Sequence, residues 1–229
     1  MDEALRLGEE ARGRSAPNPN VGCVIVAPSG RIVGRGSTAA GGRPHAEAVA
    51  LNQAGKRTSD STVYVTLEPC AHQSPRGPDC TGLLLAAKAA RVVIALKDPD
   101  PRTSGKGINR LRRAGIEVTL GVGRDAAKRS LAGWLTRLTL GRPRITLKLA
   151  LSIDGKIALP SGESKWITGE DARRHLHLER ARSDMILVGR GTYLADQPRL
   201  DVRLPGLEQS SPRRALLTRG DAVDGWEIL

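Results

Sequence analysis

His45, Glu47, Cys70 and Cys80 are the residues of this chain best suited to chemistry. They supply one imidazole, one carboxylate and two thiols from two short stretches, His45-Ala46-Glu47 and Pro69-Cys70 through Cys80. Three N/S ligands, His45, Cys70 and Cys80, would leave the fourth position of a tetrahedral zinc ion open to water, as in catalytic rather than closed structural sites. Zinc lowers the pKa of that water from ~15.7 to roughly 7. Glu47 is not needed as a ligand and takes the part of general acid and base.

Each piece alone has a plainer reading, since H-x-E recurs by chance and two cysteines can be buried thiols or a disulfide. The conjunction carries the weight: H-x-E followed by P-C and a second Cys is the pattern of zinc-dependent base deaminases. The flanking sequence says what must position these groups. His45 and Glu47 open an apolar-periodic run, Ala46, Val49, Ala50 and Leu51, which predicts both in the first turn of a helix ending near Gly55. Thr62–Leu67 reads as a buried strand that delivers Glu68-Pro69-Cys70 at its end. Pro69 predicts a helix start or a tight turn, and a helix N-terminus favours a thiolate.

Taken in order, the chain predicts an amphipathic helix over 2–13, a proline loop at 15–20, and a hairpin of Val21–Ala27 with Arg31–Ser37. Cys23 lies inside the first of these strands as an inert core thiol. After the cysteine loop come a helix at 81–90, strand 91–96, a short helix at 107–114, strand 116–120 and a longer helix near 125–140. Strands alternating with helices predict a three-layer α/β domain over residues 1–142, with Gly141-Arg142-Pro143 as the linker. Residues 143–229 start a new pattern: strand Ile145–Leu151, a tight turn at Asp154-Gly155, a helix over 169–183 capped by Thr168, and strands Met185–Val188 and Arg214–Thr218. That segment is small for an independent core.

At 229 residues the chain can bury a full core, and no run approaches the ~18 apolar residues of a membrane span. Three cysteines, and an N-terminus without the basic and apolar regions of a signal peptide, point to a reducing cytoplasm. The net charge of +12 sits mostly in the first domain, where residues 1–142 carry 22 Lys and Arg against 12 Asp and Glu. No Phe, two Tyr and three Trp are poor material for stacking successive bases, so a small phosphorylated substrate explains the charge better than nucleic acid. Neither a nucleic-acid nor a membrane partner is expected, and a homo-oligomer is left open.

With these stretches in hand, the sequence resembles the bifunctional deaminase/reductase family of riboflavin biosynthesis along essentially its whole length. The resemblance is carried by Asn18-Pro19-Asn20-Val21-Gly22, His45-Ala46-Glu47, Thr66-Leu67-Glu68-Pro69-Cys70, Leu151-Ser152-Ile153-Asp154-Gly155-Lys156, Ser164-Lys165-Trp166-Ile167-Thr168, and Leu187-Val188-Gly189 through Ala195-Asp196. It implies a cytidine-deaminase-like fold followed by part of a dihydrofolate-reductase-like α/β domain. The implied reaction is hydrolytic deamination of 2,5-diamino-6-(5-phosphoribosylamino)pyrimidin-4(3H)-one at its amino-bearing ring carbon, with Glu47 relaying the proton to departing ammonia. Asn18, His72 and Arg76 then match substrate contacts, His72 at the base and Arg76 at the phosphate. There are two departures: nine residues separate the cysteines, one more than the family's spacing, and Asp79 stands where the family has proline.

In the second segment the resemblance implies NADPH-dependent reduction of the ribosyl group. Ala150, Trp166, Thr192 and Asp196 match cofactor positions, and Ser164, Leu200 and Arg203 match substrate positions. The family continues into a glycine-rich cofactor loop and further strands, so residues 143–229 are expected to be an incomplete reductase domain, and the chain alone to deaminate but not reduce. Two other classes compete. A tRNA base deaminase shares the metal motif and suits the charge, but not the scarce aromatics or the reductase-like segment. A non-catalytic zinc module would use a fourth protein ligand in place of Glu47.

Overall fold

Runs rich in Val and Ile form the inner strands of the first of two units, Met1–Arg144. The computed structural model describes residues 1–220 and 223–229. Strand β1 (Gly22–Val26) pairs antiparallel with β2 (Ile32–Ser37) on one side and with β3 (Thr62–Val65) on the other. β4 (Arg91–Ile94) and β5 (Glu117–Leu120) continue parallel to β3, giving the order β2-β1-β3-β4-β5.

Side chains of successive strand residues point to opposite faces. Cys23, Ile25, Val63, Val65, Val92 and Ile94 accordingly share a core with Ala46, Ala50 and Leu84 of helices α2 (Ala46–Ala54) and α3 (Cys80–Ala86). Val24 and Tyr64 belong to a second cluster with Ala4 and Leu7 of α1 (Asp2–Ala11). This is the predicted three-layer arrangement. Helix α4 (Lys106–Arg113) packs on α3 and β5. Helix α2 lies unusually close to β2, because a Cβ at Gly34 or Gly36 would stand 2.3 Å from Ala50 O or 2.2 Å from Ala46 O. The parallel strands β3 and β4 point their C-terminal ends at Glu68-Pro69-Cys70 and at Asp98–Asp100, the end of an open α/β sheet where ligand crevices form.

The single helix expected near 125–140 is two, α5 (Arg124–Ser130) and α6 (Ala132–Leu140), broken at buried Leu131 (φ −88°, ψ 8°). Ser130 and Gly133 flank the break, and both are weak helix formers.

The second unit, Ile145–Leu229, contains α7 (Glu170–Ala181), α8 (Arg190–Asp196) and a parallel sheet β6-β7-β8 of Met185–Gly189, Arg213–Leu217 and Glu227–Ile228. Two expectations fail here. Ile145–Leu151 is not a strand: it has no regular structure, and Ile145 and Leu147 are 82% and 79% exposed. Among the described residues no strand pairs with it, and an unpaired apolar alternation has nothing to hold it extended. Thr168 does not cap α7, whose N-cap is Gly169; the Thr168 carbonyl instead accepts from the Arg173 guanidinium. Glu170 and Asp171 in the first turn meet the positive end of the helix dipole. Among the described residues no helix is long and apolar enough to cross a membrane.

Candidate metal centre and active site

His45 stands just outside α2 as its N-cap, with extended backbone (φ −72°, ψ 161°), rather than in the first turn. Cys70 lies in the irregular turn after β3, and Cys80 is the first residue of α3. The helix N-terminus predicted near the thiols therefore belongs to Cys80. His45 Nδ1 is 3.3 Å from Cys80 Sγ and 3.6 Å from Cys70 Sγ, and all three ligand atoms lie within 4.8 Å of one another. Ligands about 2.0–2.3 Å from a tetrahedral zinc ion stand roughly 3.5–3.8 Å apart, so the three donors fit that ion. The Cys80 backbone N–H donates to Cys70 Sγ at 3.2 Å.

The electrostatics suit anionic ligands. Hydrogen bonding from Cys80 and, after it, from His45 holds the Cys70 thiol down at about 4 against the cost of burial. The Cys80 thiol is pushed up, first because it donates to Cys70 and then by burial. Glu47 is 3% exposed on the first turn of α2. Burial raises its carboxyl above the ordinary range, and the neighbouring His45 opposes that only in part. A buried carboxyl held beside the metal ligands is placed to give and take a proton.

A cavity of about 260 Å³ opens on this centre, lined by His45 and Cys80 together with Arg43, Arg76 and Gly77. The Arg76 guanidinium donates to Gly41 O, and Arg43 Nη1 donates to Pro78 O at 3.0 Å. Both cations thus have neutral carbonyl partners here. Asn18 does not line the cavity wall; its Nδ2 donates to Gly42 O at 2.8 Å and lies 2.9 Å from His45 Nε2, the ring nitrogen facing away from the thiols. His72 sits beside Thr103, with Nδ1 3.3 Å from Oγ1.

Sequence reasoning missed Arg43, Thr103 and the carboxylates beside the two thiols. Arg43 had a signal, since it lies two residues before His45. Thr103 meets His72, and Asp79 meets Arg110, across 31 residues of sequence, and Glu68 meets Ile108 across 40, where no local pattern reaches.

In the second unit, Thr192 and Asp196 lie four residues apart on α8 and so share a helix face. Ala150, Ser164 and Trp166 are on irregular segments, and Trp166 is 71% exposed with the Arg173 guanidinium 4.5 Å from its ring centroid. Arg203 donates its backbone N–H to His177 Nδ1 at 3.2 Å and reaches Asp201 Oδ1 at 3.4 Å. Leu200 is buried and lines a cavity of about 300 Å³ with Arg199, Asp201 and Arg214.

Two family models match the chain. One is the cytidine and deoxycytidylate deaminase zinc-binding region, over residues 1–96; the other is the RibD C-terminal domain, over residues 143–224. The chain is 47% identical over 211 residues to the riboflavin biosynthesis protein RibD of Escherichia coli K12, covering 92% of this chain and 57% of that protein. It superposes on a solved structure of Acinetobacter baumannii RibD with a TM-score of 0.88 and 39% identity, covering all of this chain and 67% of that one. A Thermotoga maritima structure named as a diaminohydroxyphosphoribosylaminopyrimidine deaminase/5-amino-6-(5-phosphoribosylamino)uracil reductase gives a TM-score of 0.88 at 40% identity, covering 96% of this chain and 62% of that one. The chain thus spans under three fifths of the length of the E. coli relative.

Proposed function

The chain belongs to the RibD family of riboflavin-biosynthesis proteins, and on that premise we propose that residues 1–142 form a zinc-dependent deaminase domain and residues 143–229 the opening part of a reductase region. The proposed substrate is 2,5-diamino-6-(5-phosphoribosylamino)pyrimidin-4(3H)-one, a small phosphorylated pyrimidine. The observation that carries the reading is the gathering of His45, Cys70 and Cys80 around one point, with buried Glu47 next to them.

His45, Cys70 and Cys80 would hold zinc, which when bound supplies the Lewis acidity that makes water a nucleophile at neutral pH. Glu47 takes the proton from water and returns it to the departing amino nitrogen, so one water is consumed and one ammonia released for each amino group replaced by a carbonyl. Asn18, whose Nδ2 lies 2.9 Å from His45 Nε2, is a proposed substrate contact. Arg76 reads the phosphate, with Arg43 beside it as a second cation, since neither has a carboxylate partner among the described residues. His72, steadied by Thr103, faces the base.

NADPH is the cofactor proposed for the reductase of which residues 143–229 are part. Ala150, Trp166, Thr192 and Asp196 are its proposed contacts, and Ser164, Leu200 and Arg203 those of the sugar phosphate. No hydride step is assigned to this unit.

The test is ammonia release from the diamino substrate by zinc-loaded protein, with and without chelator. Chelator-sensitive turnover, with a KM raised tenfold or more by Arg76→Gln, supports the reading. Zinc-loaded protein that releases no ammonia from this substrate overturns it.

A further inference from the structure

Each of the two thiols has, in its own segment, a carboxylate that binds helix α4. Glu68, two residues before Cys70, is 3% exposed, and its carboxylate accepts backbone N–H groups of Asp98 at 3.3 Å, Gly105 at 3.0 Å and Ile108 at 3.2 Å. Gly105 is the N-cap of α4 and Ile108 lies in its first turn, where amides have no partner within the helix. Glu68 therefore caps α4 from a different part of the chain. Asp79, immediately before Cys80, is the N-cap of α3 and accepts the Gly82 N–H at 2.6 Å. The same oxygen accepts from Arg110 Nη1 of α4 at 2.7 Å, and the Asp79 side chain is only 13% exposed.

The fit between α4 and the thiol-bearing turn is close, since a Cβ at Gly107 would stand 2.4 Å from Pro69 O. One helix thus bears on Pro69-Cys70 through its N-terminus and on the start of α3 through Arg110. Between those two points the Cys80 N–H donates to Cys70 Sγ.

We propose that Glu68 and the Asp79–Arg110 pair are positioning residues of the metal centre, with α4 as the platform that fixes the spacing of Cys70 and Cys80. This rests on the reading of His45, Cys70 and Cys80 as a zinc site. Groups that orient metal ligands from behind typically contribute 10–100-fold in affinity. A cap that served only helix stability would leave metal binding alone.

The experiment compares Glu68→Gln, Asp79→Asn, Arg110→Met and the Asp79→Asn/Arg110→Met double variant with wild type. Three quantities are read: zinc affinity by chelator competition, the visible spectrum of the cobalt(II)-substituted protein, and the urea midpoint of the metal-free protein. Glutamine turns an NH₂ group toward N–H donors, so Glu68→Gln should weaken zinc binding about 10–100-fold and shift the cobalt bands. Arg110 is half exposed and Asp79 only 13% exposed, and Asp79 keeps its bond to the Gly82 N–H when the arginine is lost. Arg110→Met should therefore lower the metal-free midpoint no more than Asp79→Asn does, yet weaken zinc binding severalfold, and the double variant should be no worse than the poorer single one.

Zinc affinities within twofold of wild type and superimposable cobalt spectra, with only the metal-free midpoint lowered, overturn the proposal. Should Glu68→Gln fail to fold, the two Asp79–Arg110 variants decide the question by the same criteria. Wild-type protein that takes up no zinc overturns the parent reading and this inference with it.

Discussion

Replacing Gly36 by Ala should damage the metal centre from behind, without touching any residue that faces it. Gly36 is buried on β2, and a Cβ built there stands 2.2 Å from Ala46 O and 2.6 Å from Ala50 N. Ordinary contact begins near 3.4 Å, so the two backbones must part by about 1.2 Å. β2 is held in register to β1 from Gly22↔Ser37 to Val26↔Ile32, which leaves the first turn of α2 to yield. Ala46 lies between His45 and Glu47, so both functional groups move with it. Overpacking of this kind costs about 1–3 kcal/mol. A misplacement of about 1 Å can cost roughly 100-fold in rate. The assays are urea unfolding, zinc affinity by chelator competition, and ammonia release. The expected result is a loss in all three, with turnover down at least tenfold. A protein that loses stability but keeps wild-type turnover and zinc affinity would show that β2 yields instead, and that the close packing of α2 does not position His45 and Glu47.

Glu47→Gln should retain zinc while turnover falls by about 10²–10⁴-fold, because the proton carrier is lost and the three ligands stay; metal analysis alongside ammonia release checks both. Cys80→Ala should lose metal and turnover together, and chelator should lower the thermal midpoint of wild type but not of this variant, as expected when a ligand binds only the folded state. Asp98→Asn should stabilise the metal-free protein. Burial raises the Asp98 carboxyl to about 6, above the ordinary aspartate value of ~3.9, so the folded protein holds a proton that the unfolded chain releases, and stability falls as pH rises through that window. The gain from Asn should therefore be largest above pH ~6, of order 2–3 kcal/mol, and vanish toward pH ~4; urea midpoints across that range check it.

The first unit was largely legible because its signals are local. Val- and Ile-rich runs separated by Gly and Pro predict strands, and apolar residues at helical spacing predict α2 and α4. The ligand types were legible for the same reason, since three N/S donors with a spare carboxylate have few other uses. Periodicity does not resolve caps, which is why His45 was expected inside a helix that it precedes, and why the thiol at a helix start is Cys80 and not Cys70. What supports the centre was not legible at all. Glu68 meets Ile108, and Asp79 meets Arg110, only after β3, β4 and α4 have packed. The sequence does show Asp79 before Cys80, a good N-cap residue at a helix start, but nothing local connects it to Arg110.

The second unit shows the converse, a strong local signal without structure. Ile145, Leu147, Leu149 and Leu151 alternate as a half-buried strand should, yet they are irregular and exposed. Strand propensity measures fit to a covered, paired surface more than any preference of the backbone. Met185–Gly189 and Arg213–Leu217 do become strands because they pair with each other, and Ala215 and Leu216 find cover. Ile145–Leu151 finds neither among the described residues of its unit. The placement of its proposed site residues follows the same division. Thr192 and Asp196 ride on α8, which closes its hydrogen bonds internally, and so they share a face whatever surrounds them. Ala150, Ser164 and Trp166 lie on segments without a ladder or helix of their own.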